Sequence, residues 1–285
     1  MKRISQNLAT AQQQLVQALA LEASTAGIEA QSLLHAVLPT ATRAWLIAHG
    51  DEILPNEYLA AFDILLKRRL HGEPVAYIVG KRDFYGFEFK VSPQVLIPRA
   101  DTEILVEAAL AKIPTEQPCK ILDMGTGSGA IAISIALLRP QAQLTAIDTS
   151  SAALQIAEEN KRNLGAANLA LLQSDWFGGL GGETFDIVVS NPPYIADQDI
   201  HLTQGDLRFE PSQALASGKD GLDSIRHIIA GAARHLNPQG WLMLEHGYDQ
   251  AEPVQQLLLA AGFTEVGSIP DLAGILRVTA GKKQG

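Results

Sequence analysis

From Lys120 onward the chain alternates short apolar runs with amphipathic stretches, and this alternation limits its possible folds more than any other feature. The runs at 121–124, 144–148, 169–173, 185–190 and 240–245 have strand length, whereas 129–138, 151–163, 222–236 and 250–261 have helical length and spacing. Two further strands are expected near Thr264 and Leu276. Such an order closes as a mainly parallel sheet with helices on both faces, the doubly wound Rossmann-like α/β class. Its ligands lie beyond the carboxyl ends of the strands.

The first seventy residues carry a different pattern. Leu8, Ala11, Leu15 and Leu19 recur at helical spacing, as do Tyr58, Phe62, Leu65, Leu66 and Arg69, with Pro39 and Pro55 between the runs. These spacings predict a small helical bundle. At Val75 the period changes, and VAYIV followed by Phe87, Phe89 and Val91 alternating with Glu88 and Lys90 predicts a hairpin, with Gly86 near its turn. Pro93 and Pro98 end strand pairing, and Asp101 or Thr102 is expected to cap the next helix. The chain thus divides into a bundle at 1–72, a β-hairpin linker at 73–98 and the α/β domain at 99–285.

Composition narrows the function. With 47 % hydrophobic and 19 % charged residues the chain has globular content, and its longest apolar stretch, 130–138 with Ser134 inside it, is too short to span a membrane. The amino terminus lacks an apolar signal core, and the single Cys119 cannot form an internal disulfide, so a cytoplasmic location is expected. Cys119 itself reads as a packed small residue. Residues 1–90 hold nine basic and nine acidic side chains, whereas 91–285 hold 13 and 22, which accounts for the whole net charge of −9. An acidic later part disfavours stable nucleic-acid binding and suits cationic ligands or basic partners, although ordinary surface charge would give the same counts. Lys67, Arg68 and Arg69 with Lys81 and Arg82 read as helix-end cations before they read as a nucleic-acid patch. The seven histidines are scattered without ligand spacing, so no metal site is expected.

The chemistry is concentrated in two segments. ILDMGTGSGAIAISIA sets Gly125, Gly127 and Gly129 at a turn from a buried strand into a helix, where positive φ and close ligand approach call for glycine. Such a loop is expected to leave helix N-terminal amides free for an anionic group. Asp148 follows nineteen residues after Gly129, at the end of the second strand, placed to accept ribose hydroxyls. A nucleoside-containing cofactor follows from the pair. Gly125, Gly127 and Ala130 also satisfy a loose dinucleotide fingerprint, so a dehydrogenase stays open on this motif. Ser174, Asp175 and Trp176 could face adenine, and Trp176 could equally be a core aromatic. Asp123 either reaches the ligand through water or caps the turn.

VVSNPPYI places Asn191, Pro192, Pro193 and Tyr194 directly after the fourth strand. Two prolines stiffen this backbone, so the Asn191 side-chain oxygen and the Pro192 carbonyl can converge on one point. An amino group on a planar π system is a poor nucleophile because its lone pair is delocalised. Two acceptors taking its N–H groups draw it toward tetrahedral geometry and turn the lone pair to an electrophile. Tyr194 would stack on the flat group. No strong base is required, since alkylation makes the nitrogen acidic.

These segments resemble S-adenosylmethionine-dependent methyltransferases that act on planar amino groups. The nearer resemblance is to release-factor glutamine methyltransferases, the PrmC/HemK family, and it extends through the helical amino-terminal region, GEPVAYIVGKRDFYGFEFKV, IPRADTE, DMGTGSGAIAISIA, NPPYI and LEHGYDQ. The resemblance implies a class I methyltransferase domain, a helical domain for substrate recognition and methyl transfer to the glutamine of the Gly-Gly-Gln loop of peptide chain release factors. It implies S-adenosyl-L-methionine on Gly125, Thr126, Gly127, Ser128 and Gly129, with Asp148 on the ribose, Trp176 near adenine and Asn191 beside the donor. Asn191, Pro192 and Pro193 would hold the amide, and Tyr194 would pack on it. Arg99, Thr102 and Glu103 either roof the donor or join the domains. Ala100 stands where the family commonly has Pro, and His246 where an aliphatic residue is frequent. A monomer without membrane association is the expected state. The alternative activity is methylation of adenine amines in DNA, for which the same tetrapeptide serves, but a basic groove and a sequence-reading domain are missing.

Overall fold

The computed structural model describes residues 3–285 and separates into two compact units. One extends to Lys81 and includes Thr203–Phe209; the other comprises Arg82–Leu202 and Glu210–Gly285.

In the first unit, α1 (Ile4–Leu19), α2 (Ala23–Val37), α3 (Arg43–His49) and α4 (Asn56–Leu70) form the expected bundle. Ala11 and Leu15 of α1 are buried with Leu33, Leu34, Phe62 and Leu66, while Leu8 and Leu19 pack at the margin. The segment VAYIV differs from its expectation. It is a short helix, α5 (Val75–Val79), and not a strand. Pro74 starts it, the left-handed Gly80 ends it with an N–H bond to the Ala76 carbonyl, and Tyr77 and Ile78 are buried. Packing of that face against the bundle outweighs the β preference of valine and isoleucine.

Arg69 is the polar centre of this unit. Its side chain is 4 % exposed and binds Glu29 through two hydrogen bonds of 2.8 and 3.0 Å. It also donates to the carbonyls of Gly72 and Glu73, and to Asp206 at 2.9 Å. Arg68 pairs with Glu73. Both arginines are therefore spent internally, in agreement with the helix-end reading.

The hairpin begins later than expected, with β1 (Lys81–Phe84) and β2 (Phe87–Lys90). Tyr85 and Gly86 both take positive φ, 51° and 79°, the turn that matches strand twist in a two-residue hairpin. Phe84 and Phe89 enter the core of the second unit beside Leu105 and Val106. Neither Asp101 nor Thr102 caps α6 (Glu103–Leu110): the chain enters it through the 3-10 turn Ala100–Thr102, and no side-chain cap bond forms. Asp101 instead pairs with Arg277 at 3.3 Å.

The sheet contains β3 (Lys120–Met124), β4 (Gln143–Asp148), β5 (Leu169–Gln173), β6 (Phe185–Ser190), β7 (Leu236–Glu245), β8 (Phe263–Pro270) and β9 (Leu276–Lys283). Their order is β5-β4-β3-β6-β7-β9-β8, parallel throughout except that β9 runs against both of its neighbours. The helices α7 (Ala130–Leu138), α8 (Ser151–Leu164), α9 (Asp223–His235) and α10 (Ala251–Ala260) complete the doubly wound fold. Residues 130–136 of α7 are all buried, which explains its uniformly apolar sequence. Cys119 is buried at the foot of β3, where desolvation pushes its thiol up to about 11 and leaves it inert. Among the described residues no helix is long and apolar enough to cross a membrane.

Truncating Arg69 to alanine strands Glu29 as a half-buried unpaired carboxylate, so Arg69→Ala is expected to lower stability by about 3–5 kcal/mol. Urea unfolding followed by far-UV circular dichroism measures this; a loss below about 1 kcal/mol would refute the role given to the pair.

Candidate active site

The connection order reverses between β3 and β6, which are parallel neighbours, and the loops leaving their carboxyl ends meet at this crevice. The Ser190 hydroxyl donates to the Met124 carbonyl at 2.7 Å and joins the two strand ends directly. A cleft opens there, lined by Gly125, Gly127, Asp148, Ser174, Trp176, Asn191 and Pro193, among others. Of the predicted residues, Gly125, Gly127, Asp148, Trp176, Asn191 and Pro193 line this cleft, whereas Thr126, Ser128, Gly129, Pro192 and Tyr194 do not. Asp175 is exposed and does not line the cleft.

Within the glycine loop the residues divide their tasks. Gly125 and Gly127 have φ of 72° and 56°, and no atom lies within 4 Å of where a Cβ would stand, so their bare backbone faces open space. Gly129 is different. A Cβ there would meet Ile133 Cδ1 at 2.7 Å and Ala157 Cβ at 3.3 Å, so it permits α7 and α8 to approach. Thr126 and Ser128 are buried; the Thr126 hydroxyl donates to Asp123, and the Ser128 carbonyl accepts from Asn160.

Four of the loop amides are already bonded within the turn. The N–H groups of Gly125 and Thr126 both go to the Ile147 carbonyl at 2.9 Å, Gly127 N–H to Asp148 Oδ2 at 2.9 Å and Gly129 N–H to the Thr126 carbonyl at 2.8 Å. The tight turn holds these four donors internally, and Asp148 stands beside it. Asp148 also accepts from Ser150 N–H at 2.9 Å, so each carboxylate oxygen holds one backbone donor and keeps a second lone pair.

Trp176 stands between the cleft and the core. Its ring borders the cleft and packs partly on the core, 5.3 Å from the His227 ring, on a backbone with φ of 47°. The Ser174 hydroxyl accepts from Gly179 N–H and donates to the Trp176 carbonyl, which stabilises this unusual turn.

On the acceptor side, Asn191 Nδ2 donates to the Thr102 hydroxyl at 3.1 Å. Pro192 is buried, and Tyr194 borders a neighbouring cavity with Tyr248, Gln250 and Arg277. The Tyr194 hydroxyl lies 3.5 Å from Glu245 Oε1, and burial holds the phenol above its ordinary pKa. Gln250 supports this loop by donating to the Tyr194 carbonyl at 3.0 Å while accepting from Gly247 N–H. Gly221 is required beside it, because a Cβ there would stand 2.2 Å from the Tyr194 carbonyl oxygen.

Several residues around the cleft escaped the sequence reading. Gln94, Val95 and Leu96 line one side and Pro211, Gln213 and Ala214 another. Buried Glu210 joins these segments by accepting from Ile97 N–H at 3.0 Å and pairing with Arg99. Asn160 bridges both strands of contact to β2, bonding Lys90 N–H and carbonyl as well as Ser128. A buried asparagine inside an amphipathic helix was the available signal. Glu103 accepts from Tyr85 N–H at 2.8 Å, so it holds the hairpin turn. His246, fully buried, bonds the Gly247 carbonyl and the Thr279 hydroxyl, and burial lowers its pKa.

Asp123 is wholly buried, with the Thr126 hydroxyl on Oδ2 at 2.6 Å and no partner on Oδ1. It caps the turn through this Thr126 bond and is not among the residues that line the cleft. Burial above all, opposed by Thr126, raises its pKa to about 7. An acid raised in the folded state stabilises the fold when protonated, so that contribution is complete below 3.8 and is lost as pH climbs to about 7. Thermal stability is expected to fall across this range, and Asp123→Asn to flatten the slope while leaving the Thr126 bond intact. Melting temperatures at pH 5, 6, 7 and 8 for both proteins test this; parallel curves would refute it.

Two family models cover most of the chain: a methyltransferase domain at residues 115–266 and a PrmC N-terminal domain at residues 7–80. A release factor glutamine methyltransferase of Xylella fastidiosa (strain Temecula1) is 50 % identical over 89 % of this chain and 91 % of its own length. That of Escherichia coli (strain K12) is 46 % identical over 84 % and 86 %. A methyltransferase from Pyrococcus furiosus, 18 % identical, superimposes with a TM-score of 0.54 over 77 % of this chain and 98 % of its own, which speaks for the fold alone. With two relatives near half identity over almost their full length, and a cleft that joins the glycine loop to Asn191, the chain belongs to the release factor glutamine methyltransferase family.

Proposed function

We propose that this methyltransferase transfers a methyl group from S-adenosyl-L-methionine to the side-chain amide nitrogen of glutamine in the Gly-Gly-Gln loop of peptide chain release factors. The observation that carries this reading is that Asn191 and Pro193 line the same cleft as Gly125, Gly127 and Asp148. Acceptor and donor can meet there.

The residues suit this donor. Gly125 and Gly127 offer unobstructed backbone, and Asp148 supplies negative charge with lone pairs for two ribose hydroxyls. Trp176 borders the place for adenine, whereas Thr126, Ser128 and Gly129 maintain the shape of the loop. When bound, the donor supplies an electrophilic methyl on a sulfonium that leaves as a neutral thioether.

Asn191 Oδ1 and the Pro192 carbonyl each take one N–H of the substrate amide, withdrawing its lone pair from conjugation and aiming it at the methyl. Pro193 stiffens the loop and closes the wall, and Tyr194 packs beside the flat group. No general base is assigned, because the alkylated nitrogen loses its proton readily. The work is orientation and exclusion of water. Residues 1–72 serve substrate recognition, 73–98 link, and 99–285 carry the chemistry. The acidic later part suits a cationic donor and a basic partner, and the internal pairing of Arg68 and Arg69 fits a chain without stable nucleic-acid binding. We read the enzyme as a cytoplasmic monomer.

The test is incubation with methyl-labelled donor, a purified release factor and duplex DNA together, followed by mass-spectrometric location of the label. Label is expected on the Gly-Gly-Gln glutamine. Label on DNA adenine would overturn the reading. Asn191→Ala should lose turnover by about 100- to 1000-fold with donor affinity within a few-fold of wild type.

A further inference from the structure

Thr102 stands at the end of the 3-10 turn, 4 % exposed, between the acceptor loop and the end of β7. Its Oγ1 accepts from Asn191 Nδ2 at 3.1 Å. The same hydroxyl faces Glu245, which is 2 % exposed, and opposes the burial that lifts that carboxyl to about 7. Glu245 is short of donors: Oε1 has the Tyr194 hydroxyl at 3.5 Å, beyond good hydrogen-bond length, and Oε2 has no partner.

A hydroxyl carries one proton. When Glu245 draws it, Oγ1 has only lone pairs left for Asn191, and the NH₂ edge of the carboxamide must face Thr102. The flipped carboxamide would give up this bond and set Oδ1 against Oγ1, in competition with the buried Glu245 for the single hydroxyl proton. We propose that Thr102 is a positioning residue for methyl transfer: it holds the NH₂ edge of Asn191 and so turns Oδ1 into the cleft to receive the substrate N–H. This rests on the acceptor role assigned to Asn191 above. The Asn191–Thr102 bond joins the β6 loop to the turn before α6.

The experiment compares the full-length wild type with Thr102→Ser, which keeps the hydroxyl, and Thr102→Val, which keeps the shape. The Asn191 side-chain NH₂ pair in ¹⁵N–¹H spectra, assigned through its disappearance in Asn191→Ala, reports the bond without any substrate. Thr102→Val should collapse the separation of the two proton shifts and lower kcat for a release factor by about 10- to 100-fold, with KM and donor affinity within threefold. Thr102→Ser should recover both readouts. An unchanged Asn191 pair in Thr102→Val, or a serine variant as impaired as valine, would overturn the proposal. Failure of the wild type to methylate the release factor would refute the proposed function instead, and the spectra would still decide whether Thr102 orients Asn191.

Discussion

The site depends on one constraint, the tight turn from β3 into α7. The N–H groups of Gly125, Thr126 and Gly127 are held by the end of the neighbouring strand, through Ile147 and Asp148, and its left-handed glycines leave one side bare. The turn also fixes Asp148, whose two oxygens are each anchored by a backbone amide before any ligand arrives. Asp148 is thus oriented by the same bonds that close the loop.

Around this turn, polar contacts are placed where segments must meet at defined angles. Ser190 ties the ends of β3 and β6, Asn160 ties the hairpin to the glycine loop, Glu210 ties two walls of the cleft, and Gln250 carries the acceptor loop. Each is buried or nearly so and has its bonds made, so each specifies geometry more than it adds stability. Asp123 and Glu245 are the exceptions. Both are buried carboxylates one partner short, one beneath the glycine loop and one behind the acceptor loop. Unsatisfied buried groups are costly and concentrate where function tolerates the cost.

Much of this was legible beforehand because strand and helix periods are written into local spacing. The β/α alternation located the strands and helices of the sheet within a few residues, and DMGTGSG and NPPY marked the two loops at their correct strand ends. VAYIV misled, since a run of five residues carries too little periodicity to tell a buried helix from a strand, and the bundle decided it. Capping by Asp101 or Thr102 also misled. Those side chains found partners distant in sequence, Arg277 and Asn191, and a cap is only a local competitor.

By itself the sequence determined the class of fold, the order of its elements and the two loops that carry chemistry, because backbone preference and hydrophobic period act over neighbouring residues. Only the tertiary structure decided which loop amides were already spent, which glycine faces the cleft and which faces a helix, and which edge of the Asn191 carboxamide is held. Those outcomes depend on how donors and acceptors from separate strands share a limited number of protons, and no local pattern encodes that allocation.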